Sequence, residues 1–300
     1  MMYHVPVLLD EAVTLLLHNK DVTQSKIYVD CTIGGGGYSA EILRRSSDQI
    51  KLLAIDRDVN AIEHSKVLLK QFEDRIYFHC GNFANIDDIL VAHNISTISG
   101  AVLDLGLSTY QLLHEPGFSY QTDSELDMRS DTTIRSNAKD ILNNYSEREL
   151  LKLFKEFGEL KYYRQVVRQI LNTRKKKPFK TTFDLVNAVR EKIPSKYLNK
   201  DLSKIFQALR IAVNNELENL TEFFSKAVAL LEPSARLVVV SYHSLEDRIT
   251  KNALRFSANL GQMRIVTKKP IAASPDEINA NPRSRSAKLR AGERILGAVK

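Results

Sequence analysis

The stretch 27–39, IYVDCTIGGGGYS, constrains this chain more than any other. Ile27, Tyr28 and Val29 favour a β-strand and run into an acid, Asp30; Gly34 to Gly37 follow, and a helical run opens at Ser39. Strand, glycine turn and helix in that order let a backbone approach a bound nucleotide closely. A second apolar run, 51–55, ends on Asp56, about 20 residues beyond the glycines, the spacing of a ribose-binding acid. Glycines alone would describe any tight turn of an α/β sheet. The strand before them, the helix after them and the spaced acid together indicate a nucleotide-type cofactor.

The alternation continues on both sides of this unit. Residues 5–18 read as a short amphipathic helix with His4 just ahead of it, and 59–72 as a helix. Residues 75–80 read as a third strand, closed by Gly81-Asn82-Phe83, and 101–103 as a fourth, ending on Asp104 and then Gly106. Such alternation predicts an α/β fold with a parallel sheet covered on both faces. Ligands of such sheets bind at the carboxyl ends of the strands, where Asp30, Asp56, Phe83 and Asp104 all fall. After Asp104 the pattern stops. Residues 107–129 are polar and rich in turn signals, which beside a crevice marks a functional loop. Helical patterns follow at 136–144, 146–157, 159–174, 181–192 and 199–217, and the strand pattern returns at 236–241. The simplest organisation is a discontinuous domain, 1–112 and 205–300, interrupted by a helical insertion, 113–204. Residues 263–268 read as a last edge strand, and the chain from Pro270 as a polar tail.

Charge bears on the partner. The formal net charge is +7, and it is unevenly spread. Residues 161–180 hold eight Lys or Arg and no acid, and 281–294 add Arg283, Arg285, Lys288, Arg290 and Arg294 against Glu293 alone. A single run of this kind is an ordinary solvated helix end, but two favour a nucleic acid over a small substrate. Tyr162, Tyr163 and Phe179 lie where they could stack on bases. Cys31 and Cys80 form no C-x-x-C pair, so neither a disulfide framework nor a metal site is indicated, and both are expected reduced in the cytoplasm. The apolar run near the start is broken by Asp10 and Glu11, which argues against a signal peptide, and no 18 consecutive apolar residues mark a membrane span.

Two chemistries compete for the crevice. A nicotinamide dehydrogenase needs a second mononucleotide half and a hydride-relay pair, and here the helical insertion displaces that half. An S-adenosylmethionine methyltransferase needs only one half, and Asp30, the glycine turn, Asp56, Gly81-Asn82-Phe83 and Asp104 suit its donor in order. Methyl transfer is an in-line displacement, so the protein chiefly positions and desolvates its partners. If the acceptor is an exocyclic base amine, Asp104 or a nearby carbonyl would localise the nitrogen lone pair. The chain has Asp104-Leu105-Gly106-Leu107 where many amino-methyltransferases carry D/N/S-P-P-Y/F, so these residues leave the acceptor atom open. Ser241, His243, Ser244 and Asp247 suggest a hydrolase triad, but they lie too close in sequence for base–orienter geometry and lack a nucleophile elbow. An RNA-binding assembly factor that merely keeps the fold is the non-enzymatic alternative; the intact glycine turn and acids argue against it.

Specific segments add to this. They include His4-Val5-Pro6-Val7-Leu8-Leu9-Asp10-Glu11, Ala54-Ile55-Asp56-Arg57-Asp58, Gly117-Phe118-Ser119, Leu126-Asp127-Met128-Arg129 and Phe206-Gln207-Ala208-Leu209-Arg210-Ile211. Towards the end come His243-Ser244-Leu245-Glu246-Asp247-Arg248 and Arg283-Ser284-Arg285-Ser286-Ala287-Lys288-Leu289-Arg290. With these the chain resembles, nearly end to end, the bacterial MraW/RsmH-type family, which methylates N4 of a cytidine in the decoding region of 16S ribosomal RNA. The resemblance implies a class I (Rossmann-like) methyltransferase domain, S-adenosyl-L-methionine as donor, a helical insertion that helps hold RNA, and 16S rRNA in the small ribosomal subunit as substrate. It is compatible with a homodimer. By position, the family's donor-binding residues fall on Gly36, Gly37, Tyr38, Asp56, Phe83, Asp104 and Gln111, the last on resemblance alone, and Asp104 is the candidate catalytic residue. The chain departs from the family where Tyr38 replaces His, Ser108-Thr109 replaces Ser-Ser, Pro116 replaces Arg, Lys204 stands in an altered segment, and Tyr242 replaces Phe, adding the means for one hydrogen bond.

Overall fold

A computed structural model describes residues 6–18, 26–107, 111–112, 115–131 and 133–296. It begins with helix α1 (Leu9–Leu16), strand β1 (Lys26–Asp30), α2 (Gly37–Arg45), β2 (Ile50–Asp56) and α3 (Val59–Leu68). Next come β3 (Ile76–Cys80), α4 (Ile86–Ala92) and β4 (Ile98–Asp104). Five helices follow: α5 (Ala138–Asn144), α6 (Glu147–Glu156), α7 (Tyr163–Arg174), α8 (Thr182–Arg190) and α9 (Leu198–Asn214). Then α10 (Glu216–Leu230) leads into β5 (Leu231–Ser241), α11 (Ser244–Asn259), β6 (Met263–Ile265), α12 (Pro275–Ala280) and β7 (Lys288–Arg294). The chain forms two compact units, Met1–Ser108 with Leu217–Lys300, and Thr109–Glu216. No helix among the described residues is long and apolar enough to cross a membrane.

In the first unit the strands join one sheet in the order β3-β2-β1-β4-β5-β7-β6. Strands β1 to β5 run parallel, and β7 is antiparallel to both neighbours. This doubly wound order with a reversed strand between β5 and β6 is the class I, Rossmann-like methyltransferase arrangement, as the sequence predicts. The inner parallel strands β1, β2 and β4 are largely buried on both faces, which is why they read as unbroken apolar runs. In β2, Leu52 and Ala54 pack with Leu16 and Ile42 on one side, while Leu53 and Ile55 pack with Ile86, Ile89 and Phe223 on the other. Strand order reverses between β1 and β4, and that reversal opens the ligand crevice of such sheets.

Some elements differ from the sequence reading. The helix expected over 59–72 stops at Leu68, and a 3-10 helix, Lys70–Arg75, takes up the rest, with Phe72 outside helical geometry (φ −113°). The short helix α4 was not apparent in the hydrophobic pattern. The larger difference is the polar tail, which supplies β7, inside the sheet rather than beyond it. Its charges are paired across the fold: Arg290 Nε lies 2.6 Å from Asp247, and Glu293 meets Arg236 at 2.9 Å and Arg264 at 2.6 Å. Ion pairing lets a strand of polar composition sit between apolar neighbours. Arg290 is therefore a structural cation, not part of a nucleic-acid patch.

The second unit runs from Thr109 to Glu216, four residues earlier and twelve later than the expected 113–204, and α9 continues unbroken past position 204. Its buried side, including Leu202, Ile205 and Leu209, faces α5 and α6. Three of its helices start in capping boxes legible in the sequence: Asn137 with Asp140, Ser146 with Glu149, and Thr181 with Asp184. The irregular segment before α5 is pinned by Gly117 (φ 91°), where a Cβ would stand 2.6 Å from the Asp127 amide. Only glycine fits there. Lys204, the departure ahead of FQALRI, donates from Nζ to the carbonyl of Glu159 at 2.8 Å.

Candidate active site

The glycine turn is built by the two acids that flank it. Asp30, at the end of β1, is buried and accepts from the Ser39 hydroxyl (2.7 Å) and the Thr32 amide (3.2 Å), so the strand end and the first turn of α2 are tied together. Asp56, at the end of β2, accepts from the Gly34 amide (2.9 Å) on one oxygen and from the Asp58 amide (3.0 Å) on the other. Ser65 of α3 donates to the Gly34 carbonyl at 3.1 Å. Gly36 takes a left-handed conformation (φ 79°) and α2 opens at Gly37. A Cβ on Gly37 would come 2.1 Å from the ring of Pro6, so the N-terminal segment closes over the turn at that point.

The remaining strand ends complete the cluster. The Gly81 amide donates to the Asp56 carbonyl at 2.8 Å, which holds the end of β3 beside that of β2. The Asn82 side chain accepts from the Ala84 amide at 3.0 Å, and Phe83 packs edge-on against Phe223 with ring centroids 5.7 Å apart. At the end of β4 the Asp104 amide donates to the Thr32 hydroxyl at 2.7 Å, and the Tyr242 hydroxyl donates to the Asp104 carboxylate at 2.8 Å. Tyr242 follows β5, the parallel neighbour of β4.

Burial raises the proton affinity of two of the strand-end acids, Asp30 and Asp56. Burial pushes the Asp30 carboxyl up to about 7; the bonds from Ser39 and Thr32 oppose that, and the charges of Asp104 and Asp56 add to it. Burial raises Asp56 as well, opposed by the amides of Asp58 and Gly34. The Tyr242 phenol is held protonated, first by burial and then by the neighbouring Asp104 charge. Tyr242 therefore serves as a hydrogen-bond donor at any physiological pH. The chemistry of this set suits a ligand carrying hydroxyls and a cation: the carboxylates of Asp56 and Asp104 at two strand ends offer acceptors and negative charge beside a backbone turn that Asp30 braces from within.

A family model described as the MraW methylase family matches residues 1–295. The chain belongs to that family. Proteins named ribosomal RNA small subunit methyltransferase H are similar to it over nearly their whole length. That of Fusobacterium nucleatum is 41% identical, with 98% of each chain covered. That of Clostridium botulinum is 40% identical over 97% of this chain and 99% of its own. A third, from a Sulfurihydrogenibium species, is 41% identical over 93% and 96% respectively. As a MraW-family methylase the chain is an S-adenosylmethionine-dependent methyltransferase.

The residues singled out in the sequence are not all alike in their surroundings. Gly36, Gly37, Asp56, Phe83 and Asp104 all belong to the sheet unit and lie at or just after its strand ends. Tyr38 is buried, and its phenol donates to the Val7 carbonyl, so its side chain is engaged with the N-terminal segment and its backbone alone borders the turn. Gln111 belongs to the helical unit, where its carbonyl accepts from the Glu115 amide at 3.0 Å. His4 and Ser108-Thr109 lie outside the described residues. The hydrolase constellation dissolves into structural roles: His243 caps α11, Ser241 donates to the Lys288 carbonyl at 3.3 Å, and Asp247 pairs with Arg290. Sequence reading missed Thr32 and Ser39. Their one signal is a hydroxyl within two residues of the strand-end acid or on the first turn of α2.

The basic run of the helical unit also separates into two kinds of residue. Arg174 donates from Nη1 to the carbonyls of Leu142 (3.0 Å) and Tyr145 (2.7 Å), and Lys177 pairs with Asp184 at 2.9 Å. Phe179 is fully buried, which removes it as a base-stacking residue. Arg164, Arg168 and Lys175 are exposed and fall within about 40° of one another around the axis of α7, on the far side from its buried Val166 and Ile170.

Proposed function

We propose that the chain methylates N4 of a cytidine in the decoding region of 16S ribosomal RNA, in the small ribosomal subunit, in the cytoplasm. Asp104 carries this reading. Its carboxylate stands at the switch point of the sheet, its backbone is held by Thr32, and its chain belongs to a family of methylases. The names of the relatives support small-subunit ribosomal RNA as the substrate. Gly36, Gly37 and the backbone of Tyr38 border the methionine portion of the donor. Asp56 receives the ribose hydroxyls: each of its oxygens accepts one amide and retains a lone pair. Phe83 lies beside the adenine.

Bound there, S-adenosylmethionine supplies an electrophilic methyl group on a sulfonium. Asp104 acts on the acceptor. An exocyclic cytosine amine is a poor nucleophile because its lone pair is delocalised into the ring; a hydrogen bond from N4–H to Asp104 localises it. With the donor bound, N4 would take the methyl group while the thioether left with the bonding pair, and Asp104 would pass the surplus N4 proton to water. The helical unit holds the RNA, with Arg164, Arg168 and Lys175 facing phosphates.

The test is methyl transfer from labelled donor to small subunits that lack their modifications, followed by nucleoside analysis, run beside Asp104→Ala. Label recovered as N4-methylcytidine and lost in the variant is the expected result. Label in another nucleoside, or an undiminished yield from Asp104→Ala, would overturn the acceptor or the residue.

A further inference from the structure

We infer that Tyr242 is a positioning residue for methyl transfer, its hydroxyl fixing the rotation of the Asp104 carboxylate so that it meets the acceptor amine. The inference rests on the role given to Asp104 above. A carboxylate rotates about a soft terminal torsion, whereas the amine N–H must find a lone pair near the carboxylate plane. Asp104 has its main chain fixed by the Thr32 hydroxyl at 2.7 Å, and the torsion of its side chain is a separate degree of freedom. The Tyr242 hydroxyl, from the residue after β5, sets it by donating to Oδ1 at 2.8 Å.

Tyr242 is itself held at both ends. Its amide donates to Oε2 of Glu246 at 2.9 Å, inside the capping box of α11. Its ring lies under the turn after β4, where a Cβ on Gly106 (φ 112°) would stand 3.0 Å from ring Cδ2. A side chain anchored through its own backbone and wedged beneath the Asp104-Leu105-Gly106 turn can define the direction of one hydrogen bond. The ring makes the packing contact beside Gly106, and the one group of this side chain that reaches Asp104 is the hydroxyl. Removing it leaves the fold intact and loosens the carboxylate.

The experiment compares four full-length proteins: wild type, Tyr242→Phe, Asp104→Asn and the double variant. Each is assayed with unmodified small subunits and labelled donor, with donor Kd and thermal midpoint measured alongside. Tyr242→Phe should lower kcat about tenfold, the effect of losing one hydrogen bond to a charged group, with donor Kd within about twofold and the midpoint unchanged. In the Asp104→Asn background the same change should cost nothing further, because the group it orients is gone. A wild-type kcat for Tyr242→Phe would overturn the inference, as would an equal loss in both backgrounds. Full activity of Asp104→Asn would instead sink the role of Asp104 on which the inference rests.

Discussion

Asp30→Asn should flatten the pH dependence of stability between about pH 4 and 8, the window set by the shift of this one carboxyl. Asp30 is 1% exposed, and its folded pKa is pushed up to about 7, chiefly by burial. An unfolded aspartate titrates near ~3.9. Between those values the folded protein keeps a proton that the unfolded chain has released. Stability therefore falls as pH rises through the window and levels off above the folded pKa. A difference of about 3 in pKa corresponds to roughly 4 kcal/mol between the two ends. Asparagine still accepts the Ser39 hydroxyl and does not titrate. The assay is urea unfolding of both proteins at intervals from pH 4.5 to 8.5, read as the difference between the two curves, because Asp56 is shifted in the same direction in both. The variant should gain on the wild type steadily as pH rises. Parallel curves would refute the reasoning, since they would mean that Asp30 has the same proton affinity folded and unfolded.

Two other substitutions probe the site and the RNA face. Gly37→Ala places a Cβ 2.1 Å from the rigid ring of Pro6, so either the turn or the N-terminal segment must move. A loss of about 1–3 kcal/mol in stability and weaker donor binding by calorimetry are expected; unchanged values would mean that the two segments do not meet. Replacing Arg164, Arg168 and Lys175 with Gln should weaken RNA binding and reduce the slope of log K against log salt by about 2, if each meets one phosphate of a single strand. An unaltered slope would make that face of α7 merely solvated.

Much of this was legible in the chain itself. The parallel strands announce themselves because burial on both faces demands unbroken apolar runs, and Asp30, Asp56 and Asp104 announce the crevice because each ends such a run. The capping boxes at Asn137, Ser146 and Thr181 mark helix starts by purely local bonding. Strand β7 was hidden for the opposite reason. Its Arg290 and Glu293 look like surface charges until Asp247, Arg236 and Arg264 come beside them, and all three partners are distant in sequence, Arg264 still 29 residues from Glu293.

The sequence by itself determined the methyltransferase fold, the family and the strand-end acids, since hydrophobic period, turn chemistry and motif spacing act over short stretches of chain. Tertiary structure alone decided what those acids and bases do. It assigned Arg174 to the Leu142 and Tyr145 carbonyls, buried Phe179, and turned the Tyr38 phenol to Val7. It also brought the Tyr242 hydroxyl to Asp104 across 138 residues, because β5 returns to pair with β4 only after the helical unit has been traversed. A hydrogen bond depends on distance in space to within a few tenths of an ångström, and no local pattern in the chain carries that distance.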